Sequence, residues 1–426
     1  MKKSPKNILI SAPFGYSIKN LLYSTFWQSE SVRQAEQIYI LTPVPEVWEK
    51  YLETIKVKNA QPILFKAERK FNFIFSAVWQ TKKTLFLDRT KSSTQEIRWR
   101  ILRQENILLY CIKKIILSLF FWVPFSFLDF CLAVTTPKDN FHLDKIDVWL
   151  SLAPSFEIET VVSRYIDRFH RRAKKIAFIH SWHNLSSKGS LIRKYDKILV
   201  WGDLMEKEVR EKLNYGRADV VRVGMPQYDL FYKYKNQSVG GVKKQFLYAT
   251  GHPETVPNEL AYVAEVAQRI NQAFPEYKLI IRVHPNDDMA RYKNLQKKYK
   301  NIEIENPGQR TAKTYDKWMP NYDDIKHFAD LLKNSQAVIN IASTVTIDTS
   351  YFLTPVVLLD YDRESGYLKD SIKRFYQYEH FKKIIETKGV FTVKAKDELE
   401  SVLKQALSSK NDCRRKELIG LYDPFG

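Results

Sequence analysis

Cysteine is scarce in this chain: Cys111, Cys131 and Cys413 are the only three in 426 residues. They form no spaced motif, and an odd count argues against a disulfide framework, so a reducing cytoplasm is the expected compartment. Acidic residues are also in short supply, with 48 Asp and Glu against 68 Lys and Arg, a formal net charge of +20. That surplus points to an anionic partner: nucleic acid, anionic lipid or a phosphorylated substrate. No repeat, long low-complexity tract or nucleic-acid-binding motif is visible, and the basic residues are spread along the chain. The first apolar run, Ile8–Ile10, is too short for a signal peptide and leads into Ser11-Ala-Pro-Phe-Gly15, which reads as a strand followed by a loop. No Asp-x-Asp metal motif stands in a fitting context; Asp287-Asp288 reads as a helix cap. No metal and no cofactor is therefore expected.

Hydrophobic residues make up 44% of the chain, ample for sizeable cores, and the length suggests two or three domains. Strands are expected over 7–12, 37–41, 62–65, 148–152, 176–179, 198–201 and 220–223. Helices are expected over 20–30, 45–56 and 155–172, after Gly202, and through much of 93–135. A second α/β unit follows from 245 to about 395. Its apolar runs Phe246–Gly251, Ile280–Pro285 and Ala342–Asp348 each end in small, polar or imidazole-bearing residues, as buried parallel strands do at a ligand crevice. The expected division is a Rossmann-like domain over 1–229, a linker over 230–244, a second Rossmann-like domain over 245–395 and a helical tail over 396–426.

The stretch Ile115–Val134 is long enough to span a bilayer. Pro124 interrupts it, and Asp129 near mid-span costs about 2.5–3.5 kcal/mol on insertion scales. Three readings stay open: a spanning helix, a core or interdomain helix pair broken at Pro124, and a membrane-surface insertion across 107–135 aided by the basic surplus.

Four clusters carry the chemistry. His180-Ser-Trp-His-Asn-Leu-Ser-Ser-Lys-Gly189 follows a strand. An imidazole there suits removal of a proton from an attacking hydroxyl, and Lys188 suits a phosphate. The alternatives are a capping loop built by Asn184 and Ser186 over a buried Trp182, and a half-buried structural His180. His284, stiffened by Pro285, suits donation to a phosphate oxygen; Arg282 shares its face and either supports the site or pairs with a carboxylate. Ser343-Thr344 precede a helix, where hydroxyls and amides bind phosphate, and Asp348 is placed to accept from ribose hydroxyls or to serve as a dipole-favoured acid. Gly251 ends the first strand of the second unit. Gly224-Met-Pro226-Gln-Tyr-Asp229 reads as a hinge or plain turn in which Gly224 permits positive φ.

In order and spacing these pieces resemble nucleotide-dependent transferases of the GT-B fold. The pattern is similar to the CDP-glycerol glycerophosphotransferases of the teichoic acid polymerase type and to related surface-polysaccharide glycosyltransferases. A Trp-His-Gly-x-x-x-Lys loop resembles Trp182-His183-Asn184 through Lys188. Gly-x-Pro-Arg-x-Asp resembles Gly224, Pro226 and Asp229, and His-Pro resembles His284-Pro285. Ser-Ser-x-x-x-Asp resembles Ser343, Thr344 and Asp348, and a later Pro…Tyr-Asp resembles Pro355 with Tyr361-Asp362. The resemblance covers roughly 175–365. It implies that His183 is the general base, that His284, Ser343 and Thr344 hold the donor diphosphate, and that Asp348 helps hold the nucleotide. Asn184 replaces the family glycine and Gln227 the arginine, which weakens the case for a glycerol-phosphate donor. Sugar-transferring relatives carry a loop like Ser-Trp-Asp-Asn-Leu-x-x-Lys-Gly, closer to Ser181–Gly189.

The expectation is therefore an α/β protein of GT-B type, two doubly wound domains facing a central cleft. Its activity would be a metal-independent, inverting glycosyl transfer from a nucleotide sugar to a glycan or lipid-linked acceptor. It would act in the cytoplasm, peripherally at the inner face of the cell membrane and on its anionic surface. Inversion is preferred because no Glu-x7-Glu pattern occurs near 340–360. A polyol-phosphate transferase, a sugar-nucleotide 2-epimerase and, in a different class, a nucleic-acid-binding protein are the alternatives.

Overall fold

The computed structural model describes residues 6–66, 71–138, 141–235, 243–305, 309–314, 316–364, 366–409 and 413–423. Two compact units emerge: residues 1–229 with 311–319, and residues 230–310 with 320–426. The segment 311–319 thus lies in the sequence range expected for the second domain but packs with the first.

The first unit is a seven-stranded parallel sheet. Its strands are β1 (Asn7–Ser11), β2 (Gln37–Thr42), β3 (Ala60–Leu64), β4 (Val148–Ser151), β5 (Lys174–Phe178), β6 (Lys197–Val200) and β7 (Val220–Arg222). They are ordered β3-β2-β1-β4-β5-β6-β7. Order reverses between β1 and β4, the topological switch point of a Rossmann-like sheet. All the expected strands of this unit form, with bounds shifted by a residue or two. The expected helix over 20–30 does not. It breaks into a π turn (Ile18–Leu22), a 3-10 turn (Thr25–Gln28) and one helical turn (Glu30–Arg33). Polar side chains compete for the backbone here: the Ser24 hydroxyl accepts from the Phe26 amide at 3.3 Å, and Asp229 accepts from the amide and hydroxyl of Thr25, both at 2.7 Å.

The region 93–135 is helical, in three pieces: Ser93–Glu105, Ile107–Leu119 and Phe125–Thr135. A further helix, Phe73–Arg89, precedes them. Sequence reasoning missed it because apolar residues fall on both its buried and exposed faces, so no stripe marks it. No helix among the described residues is long and apolar enough to cross a membrane, which removes the spanning reading of 115–134.

The second unit holds β8 (Gln245–Ala249), β9 (Lys278–Arg282), β10 (Ile302–Glu305), β13 (Ala337–Asn340), β14 (Val356–Leu359) and β15 (Phe391–Val393), all paired in parallel in the order β10-β9-β8-β13-β14-β15. Two short strands, β11 (Gln309–Arg310) and β12 (Trp318–Met319), lie between β10 and β13 in sequence. Period-2 alternation puts Phe246 and Tyr248, Leu279 and Ile281, Ala337 and Ile339, and Val357 and Leu359 into one core. Tyr262, Val263, Val266 and Ile270 of the helix Glu259–Ala273 and Leu399 and Leu403 of the helix Leu399–Ser408 complete it. Leu247, Ile280 and Val338, which alternate to the other face, are also buried, as a sheet covered on both sides requires.

The expected linker is helical at its start, since Tyr228–Lys235 is a helix; 236–242 fall outside the described residues. Two helices make up the tail, Leu399–Ser408 and Cys413–Tyr422.

Candidate functional site

In the first unit the imidazole loop follows β5. His180 is buried, with its ring stacked on Tyr16 at 4.0 Å between centroids and tilted on Phe156 at 5.7 Å. Burial, reinforced by the Lys188 ammonium, pushes its pKa down to about 3, so the ring stays neutral. His180 is therefore a packed structural imidazole and not a catalytic base. The Asn184 amide lies 3.3 Å from that ring. Asn184 is itself buried, so it fixes the loop to its floor.

His183 is half-buried, and its Nδ1 stands 2.7 Å from the Ser181 hydroxyl. The hydroxyls of Ser186 and Ser187 donate to its carbonyl at 3.1 and 2.6 Å. The loop thus clamps its own backbone, and Trp182 is buried beneath it. The capping reading holds: Ser186 and Ser187 cap the loop backbone, and Ser181 is the hydroxyl that meets the imidazole.

Behind the loop lies a cationic group. Burial, then Arg98 and Lys188, hold the Lys83 ammonium down at about 8, and burial with Arg98 lowers Lys188; Glu157 opposes both shifts. Sequence reasoning found Lys188 and missed Lys83, which is distant in sequence and marked by no motif. The turn at 224–229 has Gly224 at φ +73°, the left-handed backbone anticipated there. Pro226 enters the turn, and Asp229 ties it to Thr25.

Sequence reasoning also missed Glu159 at the switch point of this unit. Its carboxyl is fully buried, accepts from the Ser11 hydroxyl at 2.7 Å, and is pushed up to about 8 chiefly by burial.

In the second unit, β9, β8 and β13 are neighbours, and the switch point lies between β8 and β13. The ends of β8 and β9 bring together Thr250, His252, His284 and Asn286, and Ser343 and Thr344 follow the end of the neighbouring β13. The His284 amide donates to the Thr250 hydroxyl at 2.8 Å, and its Nδ1 accepts from the Asn286 amide at 3.1 Å. As a neutral ring, His284 then carries its proton on Nε2. His252 repeats the arrangement: its Nδ1 accepts from the Glu254 amide at 3.2 Å, and its ring packs edge-on to His284 at 5.1 Å. The signal for His252 was present, since Gly251-His252-Pro253 is a second His-Pro pair at a strand end.

Ser343 donates its amide to the Asn340 carboxamide at 3.0 Å, and its hydroxyl accepts from the Val345 amide at 3.3 Å. Thr344 is exposed. Ala342 just before them sits at φ +43°, a strained backbone for a residue with a Cβ. The following helix, Val345–Tyr351, is two turns long, so hydroxyls and the tight turn matter more here than a helix dipole.

Three of the residues expected to contact the donor have partners or burial of their own. Arg282 is buried between Glu305 and Asp324 at 3.3 and 2.8 Å, and its guanidinium covers Phe328, so its charge is already neutralised. The Gly251 amide donates to Glu259 at 2.7 Å. Asp348 is buried, at 5% exposed, in the helix that follows Thr344. Glu259 mirrors Glu159: burial pushes its carboxyl up to about 8. Beside its helix opens a cavity of about 780 Å³ bordered by Asn258, Tyr262, Arg291, Asp362, Arg363 and Arg374, a volume suited to a nucleotide-sized ligand.

No family model matches the sequence, and no curated protein matches it. Solved structures do. The chain is similar to a putative UDP-N-acetylglucosamine 2-epimerase from Listeria monocytogenes, with a TM-score of 0.55 at 11% identity over 100% of this chain and 93% of that one. It is similar to UDP-GlcNAc 2-epimerase from Neisseria meningitidis bound to UDP-GlcNAc, with a TM-score of 0.52 at 10% identity over 99% and 96%. The wall teichoic acid polymerase TagF matches at a TM-score of 0.47 and 11% identity, too distant to support an argument. With its two Rossmann-like sheets, the chain has the GT-B fold.

Proposed function

We propose that this chain is a GT-B glycosyltransferase that moves a sugar from a nucleotide-activated donor to a surface glycan or its lipid-linked precursor, with inversion and without a metal. The observation that carries the reading is the half-buried His183, set by Ser181 at 2.7 Å in a self-clamped loop at a strand end. In the proposed step, His183 removes the proton of an acceptor hydroxyl as that oxygen bonds to the anomeric carbon. The bond from that carbon to the donor phosphate breaks, and the nucleotide departs with the electron pair. Within the second unit, the groups suited to a donor phosphate are His284, through its Nε2 proton, and the hydroxyls of Ser343 and Thr344. Lys83 and Lys188 suit an anionic acceptor.

A 2-epimerase is the second reading, favoured by the full-length likeness to epimerase structures. Fold alone does not settle chemistry. The two differ in what they need. Epimerisation proceeds on the nucleotide sugar alone and remakes the bond from C2 to hydrogen, so it incorporates deuterium from solvent. Transfer requires an acceptor and leaves C2 untouched.

The test combines both. Wild-type protein with a nucleotide sugar in heavy water should show no C2 deuteration, and should release nucleotide only when acceptor glycan is added. His183→Ala should lower turnover by about 10²–10⁴-fold, the span of a lost general base, while nucleotide still raises the melting temperature. Acceptor-free deuteration would replace this reading with epimerisation, and undiminished transfer by the variant would remove His183 as the base.

A further inference from the structure

The helix Ile107–Leu119 has no buried residue. Leu108 is 69% exposed, Leu119 74% and Trp122 87%, and Ile112, Ile115 and Phe130 are also exposed. Monomeric soluble proteins rarely leave so much contiguous apolar surface to water without a use for it.

The inner side of the segment 107–135 is held by specific partners, its first helix packing on 93–105 and its second on 73–89. Lys114 lies over the Trp99 ring at 4.4 Å and pairs with Asp88 at 3.3 Å. Arg89 donates to the carbonyls of Phe120, Phe121 and Val123 at the turn and covers the Phe125 ring at 4.5 Å. Carbonyls of the turn that follows the 107–119 helix are thereby satisfied, which an apolar environment demands. Asp129, the charge that opposed membrane contact in the sequence, is ion-paired with the buried Lys82.

Charge selects the partner. Residues 91–138 contain seven Lys or Arg and three Asp or Glu. Lys91, Arg100, Arg103 and Lys113 are exposed. A second copy of this chain would bring like charges together, whereas an anionic headgroup layer attracts them. The 107–119 helix is about 20 Å long at 1.5 Å per residue, short of a hydrocarbon core of about 30 Å. Trp122 at the turn is a side chain favoured at the interface between lipid and water.

We infer that the helical segment 107–135 is a monotopic anchor that lies in the surface of an anionic lipid bilayer, Trp122 inserted and the basic residues around it on the headgroups. The anchor is joined to the candidate site within the first unit: Ser92, at the start of the 93–105 helix, donates to the carbonyl of Ser186 in the imidazole loop at 2.5 Å. A lipid-linked acceptor held at the bilayer surface would then meet the same unit that carries His183. The anchor itself does not depend on the proposed transfer.

Full-length protein should co-sediment with phosphatidylcholine vesicles that contain phosphatidylglycerol, more weakly with phosphatidylcholine alone, and less as salt rises. Leu119→Glu with Trp122→Glu should keep the wild-type melting temperature and lose vesicle affinity by about tenfold or more. Should that variant fail to fold, an environment-sensitive dye on the exposed Cys111, with Cys131 and Cys413 changed to Ser, should shift to the blue on adding vesicles. No binding by the wild type, unchanged binding by the folded variant, or no dye shift overturns the anchor. Self-association that the double variant abolishes, without vesicle binding, would make the face an interface between copies instead.

Discussion

Two glutamates carry the clearest consequence at the scale of single residues. Glu159 and Glu259 each begin a helix beside a switch point, and burial pushes both carboxyls up to about 8. Folded protein therefore keeps protons that the unfolded chain releases near pH 4.5. Stability linked to these groups is fully present below that pH, falls as pH rises, and levels off above about 8. Glu159→Gln and Glu259→Gln should each raise the melting temperature at pH 8–9 and change it little at pH 5, as calorimetry at both pH values would show. Arg282 has the opposite character. It neutralises Glu305 and Asp324 in a buried setting, so Arg282→Ala should cost about 3 kcal/mol in denaturant unfolding. If Arg282 served a phosphate instead, the loss would appear in nucleotide affinity with stability intact.

Among the elements, the helix Phe125–Thr135 is tied to the helix Phe73–Arg89 by one buried charge pair. The Lys82 ammonium donates to the carbonyls of Leu191 and Ile192 at 2.7 and 3.3 Å and pairs with Asp129. Burial lowers the Lys82 pKa and raises that of Asp129, so the desolvation of both is offset only while they stay together. Asp129→Ala should destabilise the protein by about 3 kcal/mol, measured by urea unfolding. Asp129→Asn, which keeps an acceptor, should cost less. The strands were legible because apolar runs of four to six residues bounded by turn signals have few other destinations. Helix ends and breaks were not. The helix expected over 20–30 fails because Ser24 and Asp229 capture backbone amides there, and Asp229 is some two hundred positions away in sequence.

On the scale of the whole molecule, chain order and unit boundaries part company at 311–319. Asp316 accepts from the amides of Gly15 and Tyr16 at 2.8 and 3.1 Å. A Cβ on Gly15 would stand 1.8 Å from the Trp318 carbonyl oxygen, so this segment requires glycine at 15. Gly15→Ala should displace 311–319, seen as faster proteolysis there than in the wild type. Nucleotide binding is the other test at this scale. A ligand at a hundred times its dissociation constant stabilises the fold by about 2.7 kcal/mol. A panel of CMP, CDP, UDP, GDP and ADP should therefore produce a raised melting temperature with one of them. UDP or GDP would favour a sugar donor, and CMP or CDP an acidic sugar or a polyol phosphate.

Periodicity, strand-end chemistry and charge were enough to define the α/β class, the two doubly wound sheets, the His183 and His284 loops and the basic character of the chain. These are local properties: a pattern of two or 3.6 residues, or a His-Pro pair, is written in neighbouring positions. Only the tertiary structure decided which polar groups were already taken. His180 and Arg282 look in sequence like His183 and His284. The first stacks on Tyr16, and the second is held by two carboxylates. Burial and partnership are set by residues far apart in the chain, and a side chain's chemistry depends on them as much as on its own identity.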